Sequence, residues 1–132
     1  MSAFVLDNSV AMRWCFDAGR HPYADRLAED LKEGRRIAWV PILWRYEVVS
    51  VLARAKIRGA LSQSDSEMFR RSLRSLDIRT DSDSWAVTLT HVYDIAVGRR
   101  LTGYDAAYLE LAHRRGIPLA TLDIDLIKAA QS

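Results

Sequence analysis

Acidic side chains stand where the apolar strands of this sequence are predicted to end. Asp7 directly follows the apolar residues 4–6, and Asp123 directly follows residues 119–122. Asp105 lies in the first turn of a predicted helix. Because ligands of open α/β sheets bind outside the carboxyl ends of the strands, we expect these carboxylates above one edge of the sheet. Crowded carboxylates repel each other unless a cation neutralises them, and an oxygen-only site favours Mg²⁺ or Mn²⁺.

Glu47 joins this group through the periodicity of its predicted helix. One apolar stripe of that helix consists of Trp44, Val48, Val51, Leu52 and Ala55. Glu47 lies roughly 80° from the centre of the stripe, at the border of the core, where it can reach the sheet edge. The alternative is an ion pair on the helix surface, but positions 43 and 51 hold no basic residue.

The other acids also have a structural interpretation. Asp7 or Ser9 would cap the first helix, and Asp123 would cap the last one. Thr102 and Asp105 have the spacing of a capping box. The residues alone therefore leave two alternatives open, a shared site or separate structural roles.

The rest of the sequence alternates short apolar runs with longer helical segments. We predict strands over residues 3–6, 37–40, 76–79 and 118–122. Helices are predicted over about 10–16, 21–34, 41–58, 64–73, 84–97, 102–115 and 124–130. Strands separated by helices imply a parallel sheet that is covered on both faces. The predicted fold class is α/β, a three-layer α/β/α domain with a central parallel sheet, and we expect one domain over residues 1–132.

Composition narrows the class of protein. The chain has 132 residues, of which 49% are hydrophobic and 27% charged, as in ordinary globular domains. Because it lacks both a signal-peptide pattern and a membrane-length apolar run, we expect a cytoplasmic protein without membrane contact. Its single cysteine, Cys15, excludes an internal disulfide. The glycines form no phosphate-binding motif, and no nucleophile elbow is present.

Four segments in order give the chain a recognisable pattern. They are residues 6–9 (LDNS), 40–48 (VPILWRYEV), 101–112 (LTGYDAAYLELA) and 118–123 (PLATLD). With this order and spacing the sequence resembles the PIN-domain ribonucleases, most closely the VapC-type toxins of bacterial toxin–antitoxin pairs. The resemblance covers nearly the whole chain.

The resemblance implies a set of site residues and an activity. The metal-binding acids of the family correspond to Asp7, Glu47, Asp105 and Asp123, and its small hydroxyl residue to Ser9, which would hydrogen-bond a ligand carboxylate or a phosphate. Asp7 and Asp105 are then the expected direct metal ligands. Asp125 is a weaker candidate for the site than Asp123. The implied activity is a Mg²⁺-dependent, or Mn²⁺-dependent, endoribonuclease that hydrolyses phosphodiester bonds in structured RNA such as tRNA or rRNA. The implied partners are a second copy in a homodimer and a small antitoxin that inserts an arginine among the acids.

Two arginines and two rival functions complete the predictions. Arg99 and Arg100 precede the loop to Asp105, so they would border the acidic pocket and bind the RNA backbone; alternatively, they complement a helix dipole.

One rival function is a catalytically inactive PIN-like module that binds RNA or protein. The other is a receiver-like domain in which Asp7 or a later aspartate accepts phosphate. That site usually needs a lysine after a late strand, and the three lysines all lie in helical patterns.

Overall fold

Four parallel strands form the centre of the computed structural model, which describes residues 2–131. The strands are β1 (Ser2–Leu6), β2 (Arg36–Pro41), β3 (Ile78–Asp81) and β4 (Leu119–Ala120), in the order β3-β2-β1-β4. The helices are α1 (Asn8–Phe16), α2 (Pro22–Lys32), α3 (Leu43–Ile57), α4 (Gln63–Ser75), α5 (Trp85–Val87), α6 (Tyr93–Arg99), α7 (Gly103–Arg115) and α8 (Ile124–Gln131). A π-helical stretch, Thr88–Val92, joins α5 to α6.

Burial of the central strand shows that helices cover both faces of the sheet. Side chains alternate between the faces along a strand, so Phe4 and Leu6 point to one face and Val5 to the other. All three are at most 1% exposed. The predicted α/β fold with a central parallel sheet flanked by helices is therefore confirmed.

Several strand boundaries differ from the prediction. β3 begins two residues later than predicted and ends at Asp81, because its pairing with β2 runs from Ala38–Ile78 to Pro41–Asp81. Pro41 is the last residue of β2 and not the start of α3. A proline lacks the N–H of an inner ladder position, and the end of a strand tolerates it. β4 has only two residues, paired with Val5 and Leu6 of β1.

The predicted helix over residues 84–97 is divided into three segments. Within the first segments, Thr88 Oγ1 donates to the Ser84 carbonyl at 3.0 Å, and Thr90 Oγ1 donates to the Ala86 carbonyl. Such hydroxyl bonds to the preceding turn compete with the helical ladder and bend helices. Nowhere in residues 2–131 is a helix both long and apolar enough to cross a bilayer.

Candidate active site

Asp7 follows β1 and is 7% exposed. Its Oδ2 accepts hydrogen bonds from Ser9 Oγ at 2.6 Å and from Thr121 Oγ1 at 2.7 Å. Although Asp7 occupies the N-cap position of α1, its side chain bonds to no N–H of that helix. The capping interpretation therefore does not apply to Asp7, whose carboxylate is held by two hydroxyl groups.

The two hydroxyl groups are themselves fixed by the backbone beyond β4. Ser9 Oγ accepts from the Leu122 N–H at 2.9 Å, and Thr121 Oγ1 accepts from the Asp123 N–H at 3.0 Å. Each hydroxyl therefore donates its own proton to Asp7 Oδ2. The other carboxylate oxygen of Asp7, Oδ1, has no hydrogen-bond partner within residues 2–131. Ser9 is where a residue orienting the first acid was expected, whereas the sequence analysis missed Thr121. Its signal is the parallel pairing of Leu6 with Ala120, since Asp7 and Thr121 are the residues that directly follow this pair in the sequence.

Glu47 lies in the second turn of α3 and is half-buried, at the predicted border of the apolar stripe. Its Oε1 accepts a hydrogen bond from the hydroxyl of Tyr108, a fully buried residue of α7. Burial raises the pKa of Glu47, the Tyr108 hydrogen bond opposes that rise, and the charges of Asp7 and Asp105 add to it. Burial, the hydrogen bond to Glu47 and that carboxylate's charge raise the pKa of Tyr108, so the phenol stays a proton donor. Sequence reasoning did not single out Tyr108.

Asp105 is the third residue of α7 and is half-buried. Its backbone N–H donates to Thr102 Oγ1 at 3.1 Å, which forms one half of the predicted capping box. Its carboxylate accepts no hydrogen bond within the described chain. Burial raises the pKa of Asp105, and the charges of Asp123, Asp7 and Asp125 raise it further, in that order. Asp105 therefore presents an unpaired carboxylate to its acidic neighbours.

Asp123 combines a structural role with this electrostatic one. Its Oδ1 accepts from the Leu126 N–H at 3.0 Å, so it caps α8 as the structural alternative predicted. Its charge nevertheless acts on Asp105 more strongly than that of Asp125, an exposed residue in the first turn of α8. Both acids belong to the same electrostatic environment.

We call Asp105 and the four acids that interact with it electrostatically the carboxylate cluster: Asp7, Glu47, Asp105, Asp123 and Asp125. The structure thus brings the four predicted acids into one electrostatic environment and adds Asp125. Within residues 2–131, no three Asp, Glu, His or Cys side chains are arranged to hold a metal ion. The donor chemistry does fit a hard cation, since all donors are carboxylate oxygens and a cation would neutralise the charges that raise the pKa of Glu47 and Asp105.

The two predicted RNA-binding arginines have different environments. Arg99, in the last turn of α6, donates from Nη1 to the carbonyl of Ala129 in α8. Arg100 is exposed and has a left-handed backbone with φ 54°. Both line a surface cavity of about 510 Å³ together with Asp125 of the carboxylate cluster. The cavity therefore adjoins the cluster, but Arg99 also ties two helices together.

A second charged group, which the sequence analysis missed, lies beneath the surface. Arg114 bonds to Asp81 at 2.6 Å and to Glu110 at 2.8 Å, and Arg115 bonds to Asp81 at 2.7 Å. Asp81 and Glu110 are buried, and Arg115 stacks over the Trp39 ring at 3.5 Å. Asp81 is the last residue of β3, two residues beyond the predicted end of that strand. Only the spacing of Glu110 and Arg114, one helical turn apart, signalled part of this network.

Comparison with known proteins identifies the family. The PIN domain matches residues 4–131. The chain belongs to the PIN domain family. PIN domains are generally nucleases and typically use divalent metals. Among solved structures, the PIN domain described here is similar to PAE2754 from Pyrobaculum aerophilum, with a TM-score of 0.72 and 22% identity over 98% of this chain and 87% of the other. At that identity the likeness concerns the fold alone. No curated protein matches the chain.

Proposed function

We propose that this PIN domain is a metal-dependent endoribonuclease that hydrolyses phosphodiester bonds in structured RNA, and that it acts as the VapC-type toxin of a toxin–antitoxin pair. The observation that carries the proposal is the carboxylate cluster around Asp7. Burial and neighbouring carboxylates raise the pKa of Glu47 and Asp105, so the fold holds acids together at an energetic cost. Functional sites characteristically hold such perturbed groups in a structure that is otherwise well satisfied.

The hydrogen bonds support different roles for the acids. Asp7 Oδ1 and the whole Asp105 carboxylate have no hydrogen-bond partner within residues 2–131, so these two suit direct ligands of Mg²⁺ or Mn²⁺. Glu47 is held by Tyr108, and Asp123 by the backbone of α8. These two suit the orientation of water or of the RNA phosphate near the cation. Ser9 and Thr121 position Asp7 and need not touch the RNA.

A bound divalent cation would supply the chemistry that the side chains lack, by polarising a phosphate oxygen and lowering the pKa of water. The protein's contribution is to place acidic oxygens on one side of the scissile phosphate. Cys15 offers no alternative nucleophile, because burial and the charge of Asp65 raise the pKa of its thiol.

The surface supports protein partners. A groove of about 700 Å³ between α3, the π-helical stretch and α7 exposes Tyr46, Leu89, Tyr93 and Tyr104, each more than 60% accessible. Contiguous exposed apolar side chains of this kind mark protein interfaces. We therefore include a homodimer and a small antitoxin in the proposal. An antitoxin arginine would pair with the carboxylate cluster in the place of the cation, so its inhibition should weaken as Mg²⁺ concentration rises.

The deciding experiment is sequencing of RNA ends after expression of the chain in cells. The parent should produce new ends at defined positions of a structured RNA, and Asp7→Asn should abolish them. Asp65→Asn, an exposed acid outside the cluster, is the matched control and should cut like the parent. Identical ends from the parent and from Asp7→Asn would contradict nuclease activity and leave a catalytically inactive binding module.

A further inference from the structure

One left-handed backbone position departs from the pattern of the rest of the chain. Within residues 2–131, glycine occupies the other positions of positive φ, which are Gly19, Gly34, Gly59 and Gly116. Arg100, with φ 54°, is the exception. A side chain at this conformation crowds the backbone, so glycine would be the less strained residue there.

The Arg100 side chain has no structural role among the described residues. It is exposed, and within the described residues it makes no hydrogen bond or ion pair. The dipole of α6 already has a cation in its last turn, Arg99. Arg100 therefore places a positive charge at a strained backbone position without stabilising the described part of the fold.

Arg100 shares its cavity with a second cation. Lys128 of α8 lines the same cavity of about 510 Å³, and it too is exposed with no carboxylate within ion-pair distance among residues 2–131. Asp125 lies in the lining as well, and its charge acts on Asp105. Two uncompensated cations thus adjoin the carboxylate cluster. This arrangement fits a polyanion with one phosphate at the carboxylate cluster and another phosphate in contact with the two cations.

We propose that Arg100 and Lys128 form a phosphate-binding subsite for the RNA backbone beside the carboxylate cluster. The proposal rests on the proposed ribonuclease function and refines the expectation for the arginine pair. Arg100 contacts a phosphate next to the scissile one, Lys128 contacts the same strand, and Arg99 holds α6 to α8. The subsite binds the backbone irrespective of base sequence, since cations that contact phosphates carry no base information.

The test measures RNA binding and stability in the same variants. Arg100→Gly and Lys128→Gln are compared with the parent by fluorescence anisotropy on a labelled structured RNA across a salt series, in EDTA and again in Ca²⁺. Each variant should bind roughly fivefold to tenfold more weakly near 0.1 M salt and lose about one unit of the log–log salt slope. Arg100→Gly should nevertheless melt at the same temperature as the parent or higher, because glycine relieves the left-handed backbone.

The matched control is Arg58→Gly, which removes the same charge from the end of α3. Arg58 is exposed and has an ordinary helical backbone with φ −76°, outside the cavity. It should bind RNA like the parent. Unchanged affinity and slope in Arg100→Gly and Lys128→Gln would overturn the subsite while leaving the ribonuclease proposal standing. An equal loss in Arg58→Gly would overturn it too, because the effect would then follow net charge alone. A parent that binds no RNA in either condition would refute both proposals.

Discussion

Replacing Asp105 by asparagine removes one negative charge from the carboxylate cluster with almost no change of shape. Because the Asp105 carboxylate accepts no hydrogen bond within residues 2–131, the substitution breaks no hydrogen bond that the structure shows. Its effect on the metal-free protein should therefore be electrostatic. Four acids would be relieved of its charge: Asp123, Asp7 and Asp125, which act on Asp105, and Glu47, on which Asp105 acts.

The expected magnitude follows from exposure. Asp105 is half-buried, so solvent screens each repulsion to a size typical of partly exposed pairs, about 0.3 kcal/mol. Relief from four neighbours then stabilises the metal-free fold by about 1 kcal/mol. A carboxylate in the first turn of a helix also interacts favourably with the helix dipole, which stabilises the fold by about 0.3–1 kcal/mol. The substitution removes this stabilisation, and the two effects oppose each other.

A matched variant separates these two effects. Asp65 is the third residue of α4, and its backbone N–H donates to Ser62 Oγ at 3.0 Å, as that of Asp105 does to Thr102 Oγ1 at 3.1 Å. Asp65→Asn therefore loses the same helix-dipole contribution without relieving the cluster. In EDTA at low salt, Asp105→Asn should melt about 3 °C above Asp65→Asn, the shift expected from about 1 kcal/mol in a domain of this size.

Thermal melts under three conditions check the reasoning. The difference should shrink in 1 M salt, where screening suppresses the repulsion. Mg²⁺ should raise the melting temperature of the parent and of Asp65→Asn more than that of Asp105→Asn, because a ligand that binds only the folded site stabilises by mass action. If Asp105→Asn lowers the melting temperature in EDTA as much as Asp65→Asn does, the neighbouring acids do not repel Asp105. The carboxylate cluster is then not a site.

Three further predictions concern Asp7, the dependence of stability on pH, and Tyr108. Asp7→Asn should abolish cleavage while the metal-free fold melts close to the parent, because its amide oxygen can still accept from the two hydroxyl groups; a clearly lower melting temperature with an unchanged response to Mg²⁺ would make Asp7 a structural residue. The metal-free parent should gain stability as pH falls from 7 towards about 5, because Glu47 and Asp105 have raised folded-state pKa values and the folded state takes up protons first; melts at constant ionic strength that stay flat or fall over this range would contradict it. Below about pH 4 the opposite sign should appear. Burial raises the pKa of Asp81, but its hydrogen bonds and ion pairs with Arg114 and Arg115 lower it on balance, and these pairs are lost on protonation. Tyr108→Phe should raise the pKa of Glu47 further and cost about 1 kcal/mol of unfolding free energy; an NMR titration of Glu47 and urea unfolding measure the two effects, and an unchanged pKa would show that the hydrogen bond does not form in solution.

Local signals in the sequence were sufficient for the elements and for the acids. Periodicity separated strands from helices, and Thr102 caps α7 as its spacing from Asp105 predicted. The start of α4 was predicted at residue 64, whereas the helix begins at Gln63 and its cap is Ser62. The acids at strand ends reach one electrostatic environment because all parallel strands present their carboxyl ends at the same edge. The helical stripe placed Glu47 correctly because burial around a helix depends only on residue spacing.

The boundaries were less well predicted because they depend on pairing. β3 ends at Asp81 and not at residue 79, since its limits follow from hydrogen bonds to β2 and its own residues are only partly apolar. Asp81 at the end of this strand is buried and forms ion pairs with Arg114 and Arg115 of α7. No sequence period encodes these ion pairs, because the partners lie 33 and 34 residues apart.

The fold class and the acids at the ends of strands could therefore be predicted from the sequence, since both follow from the order and periodicity of neighbouring residues. The groups that hold those acids became known from the three-dimensional fold alone. The hydroxyl of Thr121 meets Asp7 across 114 residues, and that of Tyr108 meets Glu47 across 61. Such contacts depend on the register of β1 with β4 and on how α7 packs against its neighbours. Register and packing are properties of the whole core, so the local sequence cannot specify them.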